Sequence, residues 1–188
     1  MLVAISGSQG SGKSTILDKL AQSGYNTVTR KTSRSILTDW GVSLADVNGN
    51  HRLTQDFQDE VIARKRIDEQ QALQSNELWF TERTYADLFA YSLITLGKDN
   101  SYSEWLNQYY NNCLKLSQSY AAVYYLSAGH FVVEHDGVRG ANVHYSRMVD
   151  CTMLDITRQM VHNSRLTVVH TPDLNTRANM IAEQSKSL

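Results

Sequence analysis

Residues 7–14, GSQGSGKS, match the pattern G-x-x-x-x-G-K-[S/T] in full and constrain the fold more than any other feature of the chain. The apolar run before them, residues 2–5, predicts a buried strand, and the apolar spacing of residues 13–22 predicts a helix. In such a strand–loop–helix unit, glycines let successive backbone N–H groups point into one concavity, and the helix N-terminus adds partial positive charge. The motif therefore predicts a site for the phosphates of a nucleotide.

Within this site, Lys13 is expected to span the β- and γ-phosphates of ATP, and the Ser14 hydroxyl is expected to ligate Mg²⁺. ATP and Mg²⁺ are thus the predicted cofactors. The residues predicted to contact the nucleotide are Gly7, Ser8, Gln9, Gly10, Ser11, Gly12, Lys13, Ser14 and Thr15.

The rest of the chain alternates predicted strands and helices, which indicates a parallel sheet covered by helices on both faces, an α/β fold. Residues 43–52 are expected to form a loop, and a single proline with no low-complexity linker favours one domain over residues 1–188. The further strands are predicted at 25–29, 78–81, 121–126 and 166–170, and the further helices at 32–40, 54–75, 84–96, 103–117, 147–163 and 173–184.

Ligands on a parallel sheet lie beyond the carboxyl ends of its strands, so polar residues that follow a strand are candidates for chemistry. Of the acids in such positions, Glu82 is the best candidate, because Asp173 looks like the N-cap of the last helix. Glu82 would act as a general base or as a metal partner through water, and the sequence leaves both roles open. Arg83 beside it suits a phosphate or the transferring charge. The alternative is a surface ion pair that opens a helix.

Residues 82–91, ERTYADLFAY, resemble the D-R-Y-x-x-S-x-x-A-Y segment of thymidylate kinases and the E-R-S-x-x-S-D segment of deoxynucleoside kinases. The whole pattern also resembles small AAA-type ATPase/kinase domains of phage genomes and the ribosylnicotinamide kinases. The resemblance implies a three-layer P-loop NTPase fold with five parallel strands in the order 2-3-1-4-5. It also implies that Glu82 is a base or metal partner and that Arg83 contacts the acceptor. Asp87 stands where thymidylate kinases have serine, which leaves the acceptor open.

Two further stretches complete the predicted site. Residues 134–146 contain glycines and charges and are expected to form a lid. Arg139 within it and Arg147 just after it would close over the triphosphate and exclude water. A solvated loop is the alternative. Residues 29–34 carry three basic side chains, which suit an acceptor that already bears a phosphate. The residues predicted to contact the acceptor are Arg30, Lys31, Arg34, Phe57, Arg64 and Asp87, although the helical spacing of Phe57 favours the core over stacking on a base.

The sequence thus predicts a cytoplasmic kinase that transfers the γ-phosphoryl group of ATP to a nucleotide, with a deoxynucleoside monophosphate favoured, or to a nucleoside. The alternatives are a kinase acting on a modified base in DNA and a P-loop ATPase with no small-molecule acceptor. A net charge of −1 argues against the large basic surface that duplex DNA requires. No membrane partner is expected, and formation of a homodimer is left open.

Overall fold

A computed structural model describes residues 1–28, 32–128 and 142–188 of the chain. Five parallel strands form one sheet in the order β2-β3-β1-β4-β5, which confirms the predicted topology. The strands are β1 (Leu2–Ser6), β2 (Asn26–Val28), β3 (Trp79–Glu82), β4 (Ala122–Leu126) and β5 (Leu166–Val169). In the register of the sheet, Ile5 lies beside both Glu82 and Tyr124, so β1, β3 and β4 end at one edge.

Helices cover both faces of the sheet. They are α1 (Lys13–Gln22), α2 (Thr32–Trp40), α3 (Leu44–Gly49), α4 (His51–Gln74), α5 (Tyr85–Leu96), α6 (Ser103–Ser117), α7 (Val143–Met160) and α8 (Leu174–Ser185), with short 3₁₀ turns at Asn100–Tyr102 and Asn163–Arg165. No helix in the described part of the chain is long and apolar enough to cross a membrane.

Alternate side chains of the central strands point into two separate cores. Leu2 and Ala4 of β1 belong to the larger core under α2 to α7, whereas Val3 and Ile5 pack under α1 and α8. All four side chains are at most 2% exposed. A strand buried on both faces needs a continuous apolar run, which is why residues 2–5 indicated a parallel sheet.

The segment 43–52, predicted as a loop, is mostly helical, and that prediction is wrong. Ser43 and Asp46 form a reciprocal capping box that starts α3, and the side chain of Asn50 accepts the N–H of Leu53 at the start of α4. The long helix was predicted to start at Thr54. Thr54 lies inside α4 instead, where its hydroxyl donates to the carbonyl of Val47.

Helix α7 begins four residues earlier than predicted. The side chain of Asn142 accepts the N–H groups of His144 and Tyr145, which caps the helix ahead of Val143. The end of the predicted lid is therefore helical, and Arg147 lies in the second turn of α7. The remainder of the predicted lid, with Arg139, lies outside the described residues, as do Arg30 and Lys31.

Candidate active site

The loop between β1 and α1 has the geometry that its glycines allow. Gly7 has a φ of 137°, and a Cβ atom there would lie 2.6 Å from the carbonyl oxygen of Leu126. Gly12, the N-cap of α1, has a φ of 92°, in the left-handed region that favours glycine. The ammonium group of Lys13 donates to the carbonyl oxygens of Gly7, at 2.7 Å, and Ser8, at 2.8 Å, so its side chain folds back over the loop.

The structure brings together the two residues predicted to hold the metal. Ser14 lies in the first turn of α1 and Glu82 at the end of β3, and the Ser14 hydroxyl donates to Oε2 of Glu82 at 2.9 Å. An exposed hydroxyl beside a carboxylate, with the phosphate-binding loop above, fits the oxygen donors that Mg²⁺ prefers. Within the described ranges no group of three or more His, Cys, Asp and Glu side chains forms a metal cage. That finding is compatible with Mg²⁺, which is commonly held by one or two carboxylates, substrate phosphates and water.

Arg83 has an unusual backbone. Its φ is 66°, and it is the one non-glycine residue with positive φ in the part of the chain that the structure describes. Its N–H donates to the carbonyl of Ile5 at 2.9 Å, and its guanidinium carbon lies 5.6 Å from the ring centroid of Tyr91. Such backbone conformations cost free energy and persist only where the surroundings impose them, and they cluster at functional sites.

A cavity of about 560 Å³ opens beside the phosphate-binding loop, at the carboxyl edge of the sheet. Its size suits a small molecule. Its walls come from the loop and from α2, α3, α4, α5 and the first turns of α7. The lining residues are Ser8, Gln9, Gly10, Lys13, Val28, Ser33, Arg34, Leu37, Leu44, Asn48, Phe57, Gln58, Val61, Lys65, Asp68, Thr81, Glu82, Arg83, Leu88, Tyr91, Thr95, Tyr145, Ser146 and Val149.

Charge in this cavity is mainly positive. Among the described lining residues, Lys13, Arg34, Lys65 and Arg83 face two carboxylates, those of Asp68 and Glu82. The rest of the wall combines apolar side chains of β2, α2, α3, α4, α5 and α7 with polar ones such as Ser33, Asn48 and Gln58. A cavity that combines cationic groups with apolar surface suits a ligand that has both an anionic and an apolar part.

The residues predicted to contact the acceptor separate in the structure. Arg34 and Phe57 line the cavity, and Phe57 is only 3% exposed, with its ring edge-to-face with Trp40 at 6.1 Å. Arg64 is absent from the cavity wall and pairs with Asp39 at 2.5 Å and Glu60 at 2.7 Å.

Asp87 is fully buried under the phosphate-binding loop and does not line the cavity. Its Oδ1 atom accepts hydrogen bonds from the hydroxyls of Ser6 and Thr84. Burial raises the pKa of Asp87, and the hydrogen bond from Ser6 and the charges of Lys13 and Arg83 oppose that rise only in part. The structure therefore shows Asp87 joining β1 to the start of α5, behind the site.

The N-terminal part of α7 contacts the site. Tyr145, Ser146 and Val149 line the cavity, while Arg147 is exposed and is not part of its wall. One turn later, Oδ1 of Asp150 accepts hydrogen bonds from the Ser8 hydroxyl at 2.9 Å and the Tyr125 hydroxyl at 2.8 Å. Helix α7 is thus tied directly to the phosphate-binding loop.

Sequence reasoning missed several polar residues of the site, including Lys65, Asp150 and Arg177. Lys65 is 6% exposed and Arg177 is fully buried, with one guanidinium nitrogen 2.7 Å from the carbonyl of Ser11. The four-residue spacing of Lys65 and Glu69 was a usable signal for a pair on one helix face. Nothing in the polar composition of α4 showed that this face is buried.

A glycine-rich phosphate-binding loop after the central strand and an acid at the tip of the neighbouring strand define a P-loop nucleotide-binding protein. A family model described as an AAA domain matches residues 2–177. The chain belongs to this AAA-domain family.

Solved structures support the same fold. The deoxyadenosine kinase of M. mycoides, solved with the products dCMP and dCDP, superposes with a TM-score of 0.76 at 18% identity, covering 100% of both chains. The same kinase with bound dATP gives a TM-score of 0.75 at 17% identity, covering 98% of both chains. NadR in complex with NR gives a TM-score of 0.76 at 12% identity, covering 98% of this chain and 51% of that one. No curated protein sequence gives a significant match to the chain. The fold is therefore that of P-loop nucleoside and nucleotide kinases.

Proposed function

We propose that the protein transfers the γ-phosphoryl group of ATP to a nucleoside or a nucleoside monophosphate held in the cavity. The observation that carries this proposal is the 2.9 Å contact between Ser14 and Glu82 at the point where the phosphate-binding loop meets the cavity. Through this contact, the Ser14 hydroxyl, which suits Mg²⁺, and the Glu82 carboxylate lie together where the γ-phosphate and an acceptor would meet. The nucleotides bound by the deoxyadenosine kinase and the NR bound by NadR support an acceptor of this class.

In this proposal the loop amides and Lys13 bind the β- and γ-phosphates, while Ser14 and Glu82 would hold Mg²⁺, directly or through water. When bound, the metal would neutralise charge on the phosphate oxygens. An acceptor oxygen forms a bond to the γ-phosphorus, the bond from that phosphorus to the β–γ bridging oxygen breaks, and ADP leaves. Arg83 faces the cavity and would stabilise charge on the transferred group, and Arg139 and Arg147 are proposed to cover the triphosphate.

The role of Glu82 depends on the acceptor. A sugar hydroxyl must lose its proton as it attacks, and Glu82 would take that proton. A phosphate oxygen near neutral pH is already largely ionised, because the second pKa of a phosphate monoester is about 6. With a monophosphate acceptor, Glu82 would serve only as a metal partner. The basic residues Arg30, Lys31 and Arg34 favour the monophosphate, whereas the similarity to a deoxyadenosine kinase and to NadR favours the nucleoside.

The experiment is incubation of the protein with ATP and Mg²⁺ and a mixed pool of nucleosides, their monophosphates and DNA oligomers, followed by mass spectrometry. We expect one acceptor class to gain the mass of one phosphoryl group. The Lys13→Ala variant should lose at least about 10³-fold in rate with every acceptor, since it removes a principal charge from the phosphate site. Lys19→Ala, on the same helix but bonded to Asn175, is the matched control and should keep its activity.

Two results would contradict the proposal. Phosphorylation of DNA alone would favour a kinase acting on a base in DNA. ATP hydrolysis that is equally fast with and without every acceptor would favour an ATPase instead.

A further inference from the structure

Lys65 and Glu69 form a buried ion pair beneath the tip of β3. Nζ of Lys65 lies 2.7 Å from Oε1 of Glu69, and the two side chains are 7% and 0% exposed. The same carboxylate accepts hydrogen bonds from the hydroxyls of Thr81 and Tyr85, both at 2.8 Å, and lies 3.4 Å from the hydroxyl of Tyr120. Burial, together with the charge of Glu69, raises the pKa of Tyr85.

Stability alone does not account for this arrangement. Removing two charges from water costs free energy that their mutual attraction often fails to recover, and apolar replacements of buried pairs are frequently neutral or stabilising. The other contacts of the ammonium group are therefore informative. Lys65 also donates to the backbone carbonyl of Glu82 at 3.1 Å and to the Thr81 hydroxyl at 3.3 Å.

The carbonyl of Glu82 and the N–H of Arg83 belong to one peptide group, and both are held. Lys65 of α4 bonds the carbonyl on one side, and the carbonyl of Ile5 in β1 accepts the N–H on the other, at 2.9 Å. This peptide leads directly into the positive φ of 66° at Arg83. A peptide plane held at both ends fixes ψ of Glu82 and φ of Arg83, and so the directions in which both side chains leave the backbone.

We propose that Lys65, held in place by Glu69, is a positioning residue that sets the Glu82–Arg83 peptide and thereby aims the carboxylate at Ser14 and the guanidinium at the cavity. The inference rests on the proposed function for its kinetic consequence, and on the structure alone for its effect on the peptide. Lys65 also lines the cavity, so direct contact with the acceptor is the competing role. Orientation errors of about 1 Å reduce turnover by about 10²-fold, whereas a lost acceptor contact raises KM.

The test uses the double variant Lys65→Met/Glu69→Gln in the full chain. Replacing both members avoids leaving one buried charge unpaired, which would endanger folding. The matched control is Arg52→Met/Asp56→Asn, which removes an exposed ion pair of the same spacing on the same helix. Thermal unfolding confirms that both variants fold, and kcat and the KM of each substrate are then measured together with amide exchange by NMR.

We expect the double variant to lose about 10²-fold in kcat, with the KM of the acceptor changed by less than about threefold. Exchange of the Arg83 amide should accelerate at least about tenfold while the amides of β4 stay as in the wild type, because only one end of that peptide has been released. The control variant Arg52→Met/Asp56→Asn should change neither kcat nor the exchange rate of the Arg83 amide.

A large rise in acceptor KM with unchanged kcat would overturn the proposal in favour of direct binding. Unchanged kcat and unchanged Arg83 exchange would overturn it as well. If the wild-type protein phosphorylates no acceptor, the proposed function fails, and the exchange rate of the Arg83 amide alone then decides whether Lys65 holds the peptide.

Discussion

The phosphate-binding loop and the wall of the cavity are neighbours that are built in different ways. Residues 7–14 are contiguous, and their geometry follows from glycine conformations and one helix N-terminus. Apart from the residues of the loop itself, the cavity wall comes from residues 28–149, on five helices and two strand ends. The loop is a local structure that can be recognised without tertiary information, whereas the wall exists only after the helices pack. We therefore expect changes at the loop, at the strand tips and at Lys65, which we propose to position the tip of β3, to affect turnover. Changes elsewhere in the wall should affect the choice and affinity of the acceptor.

The largest effect on turnover is expected at Glu82, where the phosphate-binding loop meets the cavity wall. Glu82→Gln keeps the shape of the side chain and removes the charge. With a nucleoside acceptor, kcat should fall by roughly 10²–10⁴-fold, because a general base is lost. With a monophosphate acceptor, kcat at saturating Mg²⁺ should fall much less, and the Mg²⁺ concentration needed for half-maximal rate should rise.

Steady-state kinetics with matched nucleoside and monophosphate pairs would measure both effects. Glu77→Gln is the control, since Glu77 lies before the opposite end of β3 and its carboxylate accepts a hydrogen bond from the side chain of Asn26 at the surface. Full activity of Glu82→Gln with every acceptor and every Mg²⁺ concentration would remove Glu82 from the mechanism.

A second prediction separates the backbone of Arg83 from its side chain. Arg83→Ala and Arg83→Gly both remove the guanidinium group and should lose turnover to the same extent. Glycine adopts positive φ without steric cost, so the glycine variant should be more stable by about 1 kcal/mol. Urea unfolding measures the difference.

Gly24→Ala serves as a reference for the stability difference between Arg83→Gly and Arg83→Ala. Gly24 has a φ of 87°, and an added Cβ would meet no atom within 4 Å, so the substitution reports the conformational cost alone. It should destabilise the protein by about 1 kcal/mol. Equal stability of the two Arg83 variants, with a normal cost at Gly24, would show that the backbone of Arg83 is not strained.

A third, smaller effect concerns the pH dependence of stability at Asp87. Because its folded-state pKa is raised from 3.8, the unfolded chain ionises first as pH rises, and the native state loses stability through that window. The stability of the wild type relative to Asp87→Asn should therefore fall from about pH 4 upward until Asp87 ionises in the folded state.

At Asp46 the pH dependence of stability should have the opposite sign, and Asp46→Asn tests it. Hydrogen bonds from the hydroxyl and the N–H of Ser43 lower the pKa of Asp46, so its contribution is complete above about pH 4 and is lost as pH falls through the lower folded value. Urea unfolding between pH 3 and pH 8 measures the free energy of unfolding of the wild type and of each variant, and the difference from the wild type is then compared for the two sites. A difference between wild type and Asp87→Asn that is constant with pH would show that Asp87 titrates normally.

Features that depend on short contiguous patterns could be predicted from the sequence, whereas features that depend on how the helices pack could not. The strand bounds and the meeting of Ser14 with Glu82 were predictable, because each depends on a short pattern and on the rule that parallel strands end at one edge. The sheet order was implied by the resemblance to P-loop kinases. Helix α3 was missed although Ser43-x-x-Asp46 is a capping-box pattern, because the helix that follows has only 6 residues and is too short to show an apolar periodicity. The buried Lys65–Glu69 pair was missed because its burial is a property of packing against β3 and α5.

Arg64 is expected to show the smallest effect, and its variant tests the comparison most directly. Sequence alone placed Arg64 and Phe57 together in the acceptor site, but the structure pairs Arg64 with Asp39 and Glu60 outside the cavity wall. Arg64→Met should leave the KM of the acceptor within about twofold of the wild type, since exposed ion pairs contribute little and no ligand contact is lost. Phe57→Leu, two turns earlier on α4, changes the wall itself and should raise that KM. A larger rise in Arg64→Met than in Phe57→Leu would mean that α4 presents its other face to the acceptor during turnover.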